Sequence, residues 1–271
     1  MRILVDIRHL TRPNPSGVGH YTTELLKALF EVDMENEYVL FSSGRRVPPS
    51  SALPPPLTPP PPSPRLRRTG RAGGGFSSMR RIEHLAIPNK LLNLRSIILK
   101  HPPINWRVAQ PIDLIFLPNL NITVLPTDIP TVLTIHDLTW KLYPEFYSKK
   151  MQLWHKAVRP EALIAQSRRI ITPSTSTAQD LERCLDVKPD RVSIIPHGVS
   201  PLMTHAMRAQ DHGVRSRLKL PKCFALYVGT IEPRKNLLTL IEGVKEYREL
   251  AHVDLHLVIA GGWGWKSHNL R

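Results

Sequence analysis

"RILVDIRHLTRPNPSGVGHYTTELLKALF" (Arg2–Phe30), followed at Tyr38–Ser42 by "YVLFS", decides the fold. The first six residues form a short apolar strand, and the loop that follows contains Gly17 and Gly19. Apolar side chains then recur at Tyr21, Leu25, Leu26, Leu29 and Phe30, which is the spacing of one helix face. "YVLFS" is the next strand. Strand, glycine-containing loop, helix and strand in that order open a parallel α/β sheet.

The same alternation continues along the chain. "NKLLNLRSIILK" (Asn89–Lys100) has a helical pattern, while "IDLIFLP" (Ile112–Pro118) and "TVLTIHD" (Thr131–Asp137) are apolar throughout, as buried parallel strands are. Tyr147 to Arg169 is helical in pattern, with Pro160 inside it. "RIITPS" (Arg169–Ser174) is a strand leading to a helix in which Ser176 and Gln179 have capping-box spacing. "RVSIIPHGV" (Arg191–Val199) and, later, "FALYVG" (Phe224–Gly229) and "DLHLVIAGG" (Asp254–Gly262) supply further strands, with a helix starting at Leu237. The expected fold is α/β and doubly wound, twice over. The boundaries expected are a first Rossmann-like domain over 1–200, a linker over 201–221 and an incomplete second domain over 222–271.

Composition narrows the partners. Of the +15 formal charge, most lies between Gly44 and Gln110, where twelve Lys/Arg face one acid, Glu83. Within that span, Pro48–Pro64 is ten-seventeenths proline, and a basic, glycine-rich run follows. Proline lacks the amide donor that helices and sheet interiors need. The 48–80 stretch is therefore expected to be a poorly ordered insert, or the product of a shifted reading frame. A basic surface of this kind suits an anionic membrane. No aromatic–basic interleaving accompanies it, so nucleic acid is not an expected partner. Cys184 and Cys223 make no disulfide framework. "MRILVDIRHL" lacks a signal-peptide core, and no apolar run is long enough to span a bilayer. A cytoplasmic protein is expected, with a place at the inner face of a bacterial membrane as an extension of that reading.

Ligands of open α/β sheets bind at the carboxyl ends of the strands. Four places meet that rule. Gly17 and Gly19 free the backbone just ahead of a helix, where amides can hold phosphate. His136, with Asp137, ends a strand and can hydrogen-bond a sugar hydroxyl. His197 and Gly198 form a turn read as structural. Arg234 and Lys235 follow the strand that breaks at Gly229 and directly precede a helix, whose N-terminus already carries about half a positive charge. Two cations there would repel unless one of them pointed to solvent or an anion such as a diphosphate lay between them. Gly261 and Gly262 form a glycine-rich strand end suited to a ring or ribose.

In order along the chain, "SGVGHYTTELLKAL", "TIHDLTW", "ITPSTSTAQDL", "IIPHGV" and "YVGTIEPRKNLLTLIEG" resemble the motifs of the family-four retaining glycosyltransferases of GT-B fold, a group that includes bacterial mannosyltransferases. The resemblance spans 1–47, 82–200 and 222–262. It implies a nucleotide-sugar donor, GDP-mannose or a relative, and a glycan or lipid-linked acceptor of the cell envelope. It implies no metal and no further cofactor, with Arg234 and Lys235 neutralising the leaving diphosphate. His136 would touch the donor sugar, and Gly17, Gly19, Gly229, Gly261 and Gly262 would line the donor site. Two departures stand out: Thr230 follows the motif glycine, and the family's acidic pair does not occur before Arg271. A fragment with little turnover is therefore the expectation. The alternative is a non-catalytic protein that binds membrane or polyanion through the basic 44–110 segment.

Overall fold

A computed structural model describes residues 1–11, 17–45, 47, 80–199 and 211–267. The Pro48–Met79 stretch and residues 201–210 of the expected linker lie outside the described residues. The chain divides into two compact units. One comprises 1–138 and 155–197, the other 139–154 and 198–271.

The first unit is built on seven strands: β1 (Arg2–Asp6), β2 (Glu37–Ser43), β3 (Arg80–Leu85), β4 (Leu114–Leu117), β5 (Thr131–Thr134), β6 (Arg169–Thr172) and β7 (Val192–Ile194). Their spatial order is β3-β2-β1-β4-β5-β6-β7, and every neighbouring pair is parallel. The chain moves outward from β1 to β3, then returns to pair β4 with the other side of β1. The carboxyl ends of β1 and β4 therefore flank a topological switch point, where such sheets open a crevice. Apolar runs in β1 and β4 are explained by burial on both faces: Leu4, Val5, Ile115 and Leu117 are fully enclosed.

Helix α1 (Gly17–Val32) crosses from β1 to β2. Its buried residues are Gly19, Thr22, Leu26 and Phe30, with Leu25 and Leu29 packed beside them against Ile3, Val5, Tyr38 and Leu40. The turn after it is fixed by Asp33. One carboxylate oxygen accepts the Glu35 and Asn36 amides, and the other accepts the Tyr38 hydroxyl at 2.6 Å.

Four differences from the sequence reading have local causes. Strand β3 was not anticipated, since Arg81, Glu83 and His84 hide its pattern; it is held by parallel pairing to β2. The helical stretch 147–169 is two helices, α4 (Lys149–Val158) and α5 (Pro160–Gln166). They part at Arg159, which sits at φ 56°, because a residue before proline is driven out of the right-handed helical region. Helix α6 (Thr175–Leu185) is capped not by Ser176 but by Ser174, whose hydroxyl oxygen accepts the Thr177 amide at 3.2 Å. Residues 139–154, expected in the first domain, pack with the second unit. Helix α2 (Asn89–Leu99) forms as anticipated and ends at Lys100 in the left-handed region.

The second unit pairs β8 (Phe224–Val228) in parallel with β9 (His256–Ala260), joined by α8 (Leu237–Ala251). Helices α3 (Thr139–Leu142) and α7 (Asp211–Arg217) also belong to it, as does the amino-terminal part of α4. The 139–154 segment is tied in by the Trp265 indole, which donates to the Phe146 carbonyl at 2.7 Å, and by Lys266, which donates to Glu145 O at 2.7 Å. Tyr147 stacks on Trp265 with ring centres 5.9 Å apart.

Candidate functional site

In the first unit, the carboxyl edge of the sheet gathers two polar constructions. At the end of β1, Asp6 and Arg8 form a buried ion pair, 2% and 6% exposed respectively. Arg8 donates from Nε and one terminal nitrogen to the two Asp6 oxygens, at 2.9 and 2.7 Å. The terminal nitrogen that meets Asp6 also donates to Thr123 Oγ1, and the other terminal nitrogen donates to the Ile122 carbonyl. Burial would raise the Asp6 pKa, but the Arg8 charge and hydrogen bonds outweigh it and hold the carboxyl below its usual range. All three guanidinium nitrogens bond to the protein, and the pair anchors the loop after β4 to the end of β1.

Just past β5, His136 is half buried and its Nε2 donates to the Pro118 carbonyl at 3.0 Å, bridging the loops after β4 and β5. That bond fixes the tautomer and leaves Nδ1 as the acceptor. Burial pushes the His136 pKa down, the Pro118 bond acts the other way, and the nearby His197 pushes it down further. The net effect favours the neutral ring, with Nδ1 as its acceptor. Tyr21 on α1 meets the ring edge-on at 4.8 Å, and its hydroxyl lies 3.3 Å from Thr134 Oγ1. His197, after β7, lies 4.7 Å from Tyr21 and 5.6 Å from His136 between ring centres.

The glycines of α1 divide. Gly17 is the exposed first residue of the helix, whereas Gly19 is buried in it. Tyr21 lies two positions after Gly19, so α1 joins the glycine turn to the His136 cluster. Sequence reasoning found His136 but took Tyr21 for core and His197 for a simple turn. Their contact needs α1, β5 and the end of β7 to converge, and no local pattern records that.

The second unit holds the other candidates. Pro233–Lys235 is one turn of 3₁₀ helix, and Asn236, at φ 48°, leads into α8. Arg234 does not wait for an external anion: its Nε donates to the buried Glu232 carboxylate at 2.7 Å, and another nitrogen donates to Thr139 Oγ1 at 3.1 Å. Lys235 is exposed and forms no ion pair among the described residues. The expected repulsion at this helix start is thus relieved in part by Glu232, whose place two residues ahead of Arg234 was visible in the sequence and passed over. Gly261 meets a backbone demand, because a Cβ there would stand 1.8 Å from the Gly229 carbonyl oxygen. Gly229 itself has φ 155° and bonds from its amide to Ala260 O at 2.9 Å. Gly262 has open space where a side chain would be.

The sequence profile of Glycosyltransferase Family 4 matches residues 15–201, more than half of the chain. O-antigen chain mannosyltransferase B of Escherichia coli is 25% identical over 137 residues, covering 50% of this chain and 36% of that protein. Among solved structures, Anabaena HepE in complex with UDP and glucose superposes with a TM-score of 0.54 at 13% identity, over 99% of this chain and 63% of that one. A glycosyltransferase from Rickettsia africae gives 0.51 at 12% identity, over 99% and 62%. The chain thus spans less than two thirds of the length of each. The structural likenesses concern the fold, which is α/β of GT-B type: a seven-stranded Rossmann-like sheet and a second, smaller parallel unit. By the match that runs from the glycine turn through the end of β7, the chain belongs to Glycosyltransferase Family 4.

Proposed function

We propose that this chain serves sugar transfer from a nucleotide sugar, with GDP-mannose or a close relative as donor. The acceptor is a glycan or lipid-linked glycan of the cell envelope. The anomeric configuration is retained, without a metal, by front-face attack of the acceptor hydroxyl, and the reaction takes place in the cytoplasm at the inner face of a bacterial membrane. The choice of mannose is supported by the O-antigen mannosyltransferase relative, and that of a nucleotide donor by the UDP and glucose bound to HepE.

The observation that carries the reading is the hydrogen bond between His136 Nε2 and the Pro118 carbonyl. With Nε2 committed to Pro118 O, a neutral Nδ1 remains to accept a hydroxyl proton at the carboxyl edge of the sheet. Tyr21 and His197 hold the ring in place. In the second unit, exposed Lys235 pairs with diphosphate oxygens while Arg234 is held ready by Glu232 and Thr139. A departing diphosphate gains most from such preplaced charge.

Calorimetric titration of the 271-residue chain with GDP, GDP-mannose and UDP-glucose tests this. Weak binding of both guanine ligands is expected, reduced about tenfold by Lys235→Ala through loss of a charge-assisted bond. His136→Ala should weaken GDP-mannose and leave GDP unchanged. Equal binding of all ligands by wild type and Lys235→Ala would overturn the diphosphate role. Preference for UDP-glucose would replace mannose by glucose.

A further inference from the structure

Strand β3 stands at one end of the row of strands, and among the described residues no strand pairs with its outer side. One bond fixes the phase of its backbone. The Gly44 amide donates to the Leu85 carbonyl at 3.1 Å, so Leu85 turns its polar backbone groups towards β2. Alternation along the strand turns those of Arg81 and Glu83 the same way, and those of Arg80, Ile82 and His84 outward. Such a row of donors and acceptors is a template on which another strand adds. Many edges are blunted by proline, bulges or lysines. Strand β3 has none of these: its register with β2 is unbroken from Arg80 to Leu85, and its charges are of both signs. Arg81 and Glu83 share one face, with Arg81 Nε 2.6 Å from a Glu83 carboxylate oxygen. Ile82 lies between them on the other face and is 44% exposed.

We infer that β3 pairs with β3 of a second copy of this chain, antiparallel about a two-fold axis through Ile82, joining two sheets into one. In that register Ile82 exchanges both backbone bonds with Ile82 of the partner subunit, and Arg80 does so with the partner subunit's His84. These are the residues whose backbone groups face outward. The positions between them bring side chains closest, and they set Arg81 against the partner's Glu83 on both sides of the axis. Each carboxylate then lies between two guanidinium groups. The two neighbouring registers that keep the bonding phase would set Arg81 against Arg81 or Glu83 against Glu83, so charge selects one register. Charge also selects this occupant over the chain's own preceding segment. Residues 48–79 contain no acid to meet Arg81, and the prolines of Pro48–Pro64 have no amide to give. The inference uses none of the residues assigned to sugar transfer.

Sedimentation velocity of the full chain across a concentration series tests it, with charge reversal as the probe. Wild type should form a reversible dimer. Arg81→Glu alone and Glu83→Arg alone should each weaken self-association roughly tenfold or more, because two attractive cross-strand pairs become repulsive. Mixed in equal amounts, the two variants should dimerise with each other, since every carboxylate then faces a guanidinium. A variant that had merely failed to fold would not recover on mixing. The double variant, Arg81→Glu with Glu83→Arg, should dimerise like wild type. Hydrogen exchange reads the backbone: the Ile82 and His84 amides should gain protection as concentration rises, while the Glu83 amide stays protected throughout. A monomer at every concentration, a dimer indifferent to both single reversals, or no recovery on mixing would overturn the proposal. So would protection of Ile82 and His84 that does not change with concentration, which would assign the edge to a segment of the same chain.

Discussion

Strand β4 reads "LIFL" and strand β8 reads "FALYV", sequences that no local rule separates, yet one is enclosed and the other is half in water. In β4, Ile115 and Leu117 are fully buried, whereas in β8 Val228 is 73% exposed and Leu226 56%. The difference lies in the company each keeps. Strand β4 has β1 and β5 as neighbours and helices over the sheet; among the described residues β8 pairs only with β9. Burial is a property of layers, and an apolar run states only that a strand is fit to be covered.

The comparison can be broken or sharpened by mutation. Leu133, fully buried in β5, should cost ~3–4 kcal/mol on truncation to Ala, through lost contacts and a residual cavity. Urea unfolding should show that loss in the transition of the first unit. Gly261→Ala should cost roughly 3 kcal/mol, since its Cβ would overlap the Gly229 carbonyl and the backbone must yield. That loss should fall on the second unit alone, and hydrogen exchange across β8 and β9 against β1 and β4 would reveal it. A loss shared by both units would mean that they unfold as one.

A smaller effect concerns acid. The Tyr38 hydroxyl, chiefly, with the Asn36 side chain and the 35–36 amides, lowers the Asp33 carboxyl to about 2. A depressed folded pKa contributes stability above the unfolded value near 4, and that stability is lost as pH falls towards 2. The first unit of wild type should therefore lose part of its thermal midpoint between those values, and Asp33→Asn should flatten the slope. The least effect belongs to Leu250→Ala: at 75% exposure in α8 it should change stability by no more than about 0.5 kcal/mol. A large loss there would show that a partner covers α8 in solution.

Much of the first unit was legible in advance, for a physical reason. The middles of β1 and β4 are buried on both faces, so their sequences are apolar there and need no context to be read. Strand β3 lies at the sheet edge, where Arg81, Glu83 and His84 are tolerated, and it was missed. The break at Arg159 was written in Pro160, yet the apolar period on either side masked it. Of the site, His136 was found because a histidine at a strand end is conspicuous by itself. Tyr21 and His197 were not, because their meaning is a contact across 115 to 176 residues of chain.

The sequence alone determined the order of strands and helices, the parallel α/β class, the cationic helix start and the glycines at strand ends. Each of these is set by side-chain period, charge and backbone freedom within a few residues. Tertiary structure alone decided that Arg234 is matched by Glu232 and Thr139, that 139–154 packs with the second unit, and that β3 stands at the outer side of the sheet. Those outcomes depend on which surfaces meet, and chains distant in sequence meet only once the sheet has closed its order.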